Sequence, residues 1–237
     1  MTETVTPEAA FTPALGRLAP TRFYDPVIAL TRERLWRALA AMHVAPRPED
    51  VLVDVGCGTG SLALLLHRIE PRARIIGVDP DPAMLDRARR KAATDSTASS
   101  SQTSARSPEW LVGMGDALPE LLGTGIADTV VSSLVLHQCP LAVKRAILGA
   151  MAAVLRPGGR LVIADYGLQR TALMRLAFRG VQFADGREDT QPQADGVLPR
   201  LMHEAGFHKV REAEVVPTVT GSISVYVATR DRVGDGV

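Results

Sequence analysis

Val51-Leu52-Val53-Asp54-Val55-Gly56-Cys57-Gly58-Thr59-Gly60 joins five residues of a buried-type strand to a turn with glycine at every second position. An apolar helix pattern follows from Ser61. Strand, glycine turn and helix in that order form the first unit of a doubly wound α/β fold. Its glycines let the backbone turn sharply and approach a ligand where a Cβ would intrude. The spacing is G-x-G-x-G. A dinucleotide-binding turn wants G-x-G-x-x-G, and the residue that would carry its third glycine is Ser61.

Three further landmarks follow in order. Arg74-Ile75-Ile76-Gly77-Val78-Asp79 reads as a second strand ending in a carboxylate, one strand-helix-strand unit beyond Gly60, where it can accept both hydroxyls of a ribose. Met114-Gly115-Asp116-Ala117-Leu118-Pro119 follows a short third strand, Trp110–Val112. Leu155-Arg156-Pro157-Gly158-Gly159-Arg160-Leu161-Val162-Ile163 is a helix stop feeding a fifth strand. An isolated Asp is usually a turn or cap residue, but these acids stand in register with the glycine turn.

The four stretches together, over residues 51 to 165, resemble the motifs of class I S-adenosylmethionine-dependent methyltransferases. The resemblance implies a doubly wound, mostly parallel seven-stranded sheet with an antiparallel C-terminal hairpin, and S-adenosylmethionine as cofactor. It places the methionine part on Asp54 and the loop of Gly56, Cys57, Gly58 and Gly60, the ribose on Asp79 and the adenine on Asp116. Pro80, Met84, Ala117 and Leu134, beside these positions, join the cofactor set. The small-molecule branch that includes quinone-biosynthesis C-methyltransferases is the most similar. Those enzymes carry an Arg-Asn pair after the fourth strand, where this chain has Val135 to Gln138.

Composition narrows the class. The 237 residues are 46% hydrophobic and 22% charged, which suits one α/β domain with a sizeable core. Net charge is +1 with Lys and Arg scattered, so the electrostatic footprint of a nucleic-acid binder is missing. No apolar stretch reaches the ~18 residues of a membrane span, and the first residues lack a signal-peptide pattern. The expectation is a cytoplasmic protein without stable membrane insertion. Two cysteines, Cys57 and Cys139, are too few for a disulfide framework, a metal site or thiol-dependent arsenite methylation.

Along the chain, residues 1–20 read as a flexible N-terminus and 21–48 as a helical cap beginning at Asp25-Pro26, with Phe23, Tyr24 and Trp36 as candidate walls of the site. Residues 49–237 form the methyltransferase domain, with a Ser/Thr-rich insertion at 94–108 and a lid at 168–193. The lid combines apolar residues with Arg170, Arg175 and Arg179. That mixture suits a small hydrophobic or anionic acceptor, and it suits equally a homodimer surface or core packing. Candidate acceptor contacts are Tyr24, Gln138, Tyr166, Arg179 and Phe183. His137, near the mouth of the fourth strand, is the candidate general base, against the alternative of a hydrogen-bonded turn residue. Two other functions remain open: an NAD-dependent oxidoreductase, and a non-catalytic module that binds S-adenosylmethionine.

Overall fold

The structure, a computed structural model, describes residues 32–96 and 106–231. The expectations for residues 1–20, for Phe23 and Tyr24, and for most of the 94–108 insertion lie outside the described residues.

Seven strands form one sheet in the order β3-β2-β1-β4-β5-β7-β6. They are β1 (Val51–Val55), β2 (Arg74–Asp79), β3 (Glu109–Val112), β4 (Ala127–Ser133), β5 (Leu155–Tyr166), β6 (Phe207–Thr218) and β7 (Gly221–Arg230). The first five run parallel, and β7 lies antiparallel between β5 and β6. Helices α1 (Glu33–Val44), α2 (Ser61–Ile69), α3 (Pro82–Ser96), α4 (Leu118–Leu122) and α5 (Leu141–Val154) accompany the parallel strands, and α6 (Ala172–Asp185), α7 (Arg187–Ala194) and α8 (Leu198–Glu204) follow β5. Strand order reverses between β1 and β4, and the helices that follow them pack on opposite faces, with Leu62 and Leu66 of α2 in one core cluster and Leu148 and Met151 of α5 in the other. The carboxyl ends diverge there and leave a crevice for a ligand.

The strands sit at the centre because they are apolar on both faces, as buried parallel strands must be. Val53, Val55, Val130, Leu161 and Ile163 belong to one core cluster, while Leu52, Ile75, Val131 and Val162 belong to the other. Helix α1 closes the second layer. Its Trp36 is 1% exposed, and truncation to alanine would cost roughly 3–5 kcal/mol by removing a fully buried aromatic. Arg160 of β5 fixes the end of α1 by donating to the carbonyls of His43 at 2.7 Å and Val44 at 3.0 Å.

Two local features stand apart from the strand–helix alternation. The polar stretch 185–193 is helical over Arg187–Ala194, despite Pro192 inside it. Its order comes from buried polar contacts: Thr190 Oγ1 donates to the Gly186 carbonyl at 2.6 Å, and Gln193 is 1% exposed. The fifth strand also begins earlier than expected, at Leu155, and its register with β4 shifts between Ala127 and Thr129.

Candidate functional site

Beyond β1 the chain turns through Gly56, Gly58 and Gly60, all with positive φ. At Gly56 (φ +69°) an added Cβ would lie 2.3 Å from Val135 Cγ2, so the turn after β1 and the turn after β4 can meet this closely only with glycine there. The loop's own donors are consumed internally. The Gly56 and Cys57 N–H groups donate to the Val78 carbonyl at 2.8 and 3.1 Å, and Gly60 N–H donates to Cys57 O at 2.9 Å. Gly58 N–H donates to Asp79 Oδ2 at 2.8 Å.

Asp79 therefore has two tasks. Its Oδ1 accepts from Asp81 N–H at 2.9 Å while Oδ2 holds the glycine loop, yet each carboxylate oxygen keeps a further lone pair. Burial pushes its pKa up against those two hydrogen bonds. Asp81 caps α3 by accepting from Ala83 N–H at 2.8 Å.

Asp54, on β1, is 1% exposed, and neither of its carboxylate oxygens makes a well-formed hydrogen bond, the Ala63 N–H being a weak donor to it. Burial pushes its pKa up to about 7, with Arg37 pulling it down and Asp79 adding to the rise. A buried carboxylate without a strong partner is costly unless a cation or donor arrives to meet it.

A cleft of about 840 Å³, counting its open mouth, runs along the carboxyl ends of the strands. The glycine loop and β2 contribute Gly56, Gly58, Asp79, Pro80 and Met84; the turn after β3 contributes Gly113, Met114 and Gly115. Leu134, Val135, Gln138, Pro140, Val143 and Ile147 form the wall after β4. Leu134 has φ +55°, a conformation branched apolar side chains rarely adopt, at the point where the chain leaves β4 beside the cleft. S-adenosylmethionine suits this surface. Asp79 offers acceptors to a ribose, and Met84 with the Gly113–Gly115 turn offers a largely apolar wall to a base, while Asp54 is buried on β1 and does not itself line the cleft.

His137 belongs to a different arrangement. It is 6% exposed in the 3₁₀ turn Leu136–Gln138 and does not line the cleft. Its Nδ1 lies 2.7 Å from Asp165 Oδ1, and its Nε2 lies 3.5 Å from Asp185 Oδ2 at the end of α6. Burial alone would lower its pKa, but Asp165 and then Asp185 push it up to about 9. Both ring nitrogens are turned to carboxylates, which favours the charged form of the ring. Neither ring nitrogen faces the cleft, an arrangement that favours the alternative of a hydrogen-bonded turn residue over a general base. Asp165 also accepts from the backbone N–H groups of Leu136 at 2.7 Å, His137 at 3.2 Å and Tyr166 at 2.7 Å. Nearby, the buried Lys144 ammonium donates to the carbonyls of Cys139 and Asp189, a second tie between the turn after β4 and the lid.

The other expected contacts divide. Gln138 lines the cleft. Tyr166 is 5% exposed, with its hydroxyl 2.8 Å from Thr220 Oγ1 and its ring edge-on to His137, so it packs the lid rather than facing a ligand. Arg179 and Phe183 line a separate groove on the outer side of α6 and α7, where Phe183 is 84% exposed. They do not meet the cleft. Asp116 is exposed in the turn just past the cleft wall, and Ala117 caps α4 beyond it. Cys57 is buried, and burial pushes its thiol pKa well up, so it stays an unreactive thiol; it lines a small recess beside the glycine loop rather than the main cleft. Gly60 shapes the start of α2 without lining the main cleft.

Sequence reasoning missed Pro140, Val143 and Ile147. Their spacing of three and four residues marks one face of α5, and projecting that face past β4 finds them.

Residues 52–159 match the family described as "Methyltransferase domain". A malonyl-[acyl-carrier protein] O-methyltransferase of Methylococcus capsulatus is 34% identical over 190 residues, which cover 79% of this chain and 62% of that protein. A demethylmenaquinone methyltransferase of Deinococcus radiodurans is 36% identical over 154 residues, covering 65% and 58%. The chain thus spans about three fifths of the length of these relatives. Among solved structures, a magnesium protoporphyrin IX methyltransferase from Synechocystis with bound SAH superposes with a TM-score of 0.63 at 20% identity, over 88% of each chain. That similarity is one of fold.

Proposed function

We propose that this chain is a class I S-adenosylmethionine-dependent methyltransferase and that it methylates a small, predominantly apolar acceptor at the carboxyl ends of β4 and β5. The observation that carries this reading is the cleft itself: it joins the glycine loop and Asp79 to an apolar wall of Val135, Pro140, Val143 and Ile147. The charged side chains lining it are the carboxylates Asp79 and Asp81, which repel an anionic acceptor. The arginines that suggested an anionic one lie on the outer lid.

When bound, the cofactor supplies an electrophilic sulfonium methyl. The protein's part is alignment and exclusion of water, which supply most of the acceleration available to an in-line displacement. Asp79 and the Gly113–Gly115 turn would hold the nucleoside end. Gly56 lets the turn after β4 approach, so Leu134 and Val135 would wall the part of the cleft next to the glycine loop and help exclude water there. His137 acts as a brace. Its charged contacts to Asp165 and Asp185 hold α6 against the turn after β4.

Calorimetric titration with S-adenosylhomocysteine and with NADH tests the cofactor assignment. Micromolar binding of the sulfur ligand with no NADH heat is expected; the reverse overturns it. A screen of phenolic, quinol and carboxylate acceptors with labelled S-adenosylmethionine then reads turnover. Tight cofactor binding without methyl transfer to any of them would instead favour a binding module.

A further inference from the structure

Helix α6 carries apolar side chains on two opposite sides. Phe178 and Val181 enter the core, whereas Leu173, Leu176 and Phe183, at intervals of three and seven residues, follow one outward ridge and are 75%, 59% and 84% exposed. Phe183 and Leu173 are the two most exposed large apolar side chains among the described residues. One flank of the ridge is basic: Arg175 and Arg179, with Arg187 at the start of α7, line an open groove of about 930 Å³, counting its mouth. Arg175 donates to the carbonyls of Gln169 at 3.1 Å and Arg170 at 3.3 Å, and among the described residues none of the three is paired with a carboxylate. Of the neighbouring acids, Asp185 is turned to His137 and Glu188 is exposed, so the face carries a positive surplus.

We propose that this face docks on an anionic lipid bilayer, with Leu173, Leu176 and Phe183 entering the acyl boundary and the arginine groove taking lipid phosphates beside them. A helix with Leu and Phe along one stripe and Arg next to it binds such a surface by apolar burial and charge together. The ridge is convex and its side chains stand out singly, a shape that sinks into a fluid layer, whereas a protein partner would have to bring a matching trough. A second copy is disfavoured by charge, since a twofold pairing of the ridges would set the arginine flank of one copy against that of the other. Lys144 ties α7 to the wall of the cleft through the Asp189 carbonyl at 2.6 Å, so the docking face and the cleft share one frame. The inference goes beyond the reading of the cleft and takes one point from it: an apolar acceptor concentrates in bilayers, where a chain held at the surface meets it.

The test is sedimentation of the full chain with vesicles of phosphatidylcholine alone and of phosphatidylcholine with an equal part of phosphatidylglycerol. The chain should be retained on the anionic vesicles, at least about tenfold more weakly on phosphatidylcholine, and less as salt is added. Phe183→Ser should weaken retention roughly tenfold by removing the most exposed apolar side chain, and the double variant Arg179→Gln, Arg187→Gln by about fivefold per arginine. Both variants should keep the affinity of the wild-type chain for S-adenosylhomocysteine in solution, because neither touches the cleft. Absence of retention on anionic vesicles, equal retention on both kinds, or retention that survives the variants would overturn the proposal. A dimer in solution that Phe183→Ser dissociates would give the ridge to a second copy, and binding of soluble polyglutamate that both variants abolish would give the face to an acidic protein; either also overturns it. Retention is read without turnover, so a chain that binds vesicles but no S-adenosylhomocysteine would uphold the docking face and overturn the cofactor reading alone.

Discussion

His137 and Asp165 form a buried ion pair, Nδ1 to Oδ1 at 2.7 Å, that joins the turn after β4 to the last residues of β5. Because Asp165 and Asp185 raise the folded-state pKa of His137 to about 9 from 6.5, the folded chain holds this proton more tightly than the unfolded chain. The stability it contributes is fully present below pH 6.5 and is lost as pH rises through 9. Urea unfolding at pH 6.5 and 9.5 should show a loss of up to ~3 kcal/mol, at 1.36 kcal/mol per pKa unit. In His137→Gln this slope should flatten; a slope of wild-type size in that variant would place its origin elsewhere.

Asp54 predicts a pH dependence of cofactor binding with the opposite direction. Its pKa of about 7 without ligand means that acidification neutralises it before an ammonium group can use it. Affinity for S-adenosylhomocysteine should therefore fall between pH 8 and pH 6, and Asp54→Asn should bind more weakly but without that dependence. Calorimetry across this range in buffers of differing ionisation enthalpy also counts the proton released on binding.

Replacing Asp79 with Ala removes the acceptors for a ribose and also frees the N–H groups of Gly58 and Asp81. Cofactor affinity should drop by roughly 2 kcal/mol or more. The fold should survive, because β2 stays paired to β1 and β3 through its backbone. Near-wild-type affinity in a folded variant would remove Asp79 from the site.

Substitutions on the lid and in the cleft should separate. Arg179→Ala and Phe183→Ala alter an outer groove, so both cofactor affinity and acceptor KM should stay within about twofold of wild type. Val143→Asp, on the apolar wall after β4, should raise acceptor KM at least tenfold by placing a charge against an apolar ligand. Steady-state kinetics on the three variants decides it. A large acceptor defect in Phe183→Ala would return the lid groove to the site.

The sheet was legible because each parallel strand is a short apolar run with its turn chemistry beside it, and the glycine loop with Asp79 showed where the sheet opens. What escaped the sequence depends on distant partners. His137 reads as a base until Asp165 and Asp185, far along the chain, arrive on either side of its ring. Helix α7 shows no apolar period, and its order comes from Thr190, Gln191 and Gln193 bonding to neighbours in space or in the turn before.

The place of β7 bears on how the molecule assembles. Strand β5 has one free edge once β4 is paired, and the segment that fills it is Gly221–Arg230, reached only after three helices and β6 have been made. Strand β6 borders β7 alone, so it has no sheet to join until β7 is in place. Docking of β7 is thus a late, non-local step whose loop-closure cost must be met before either neighbour rewards it. Until then the β5 edge, apolar through Leu161, Val162, Ile163 and Ala164, stays open to any other extended chain. During synthesis, the parallel half with its cofactor cleft has all its strands before the half that shields that edge exists, making the interval before β7 docks the time of greatest exposure to aggregation.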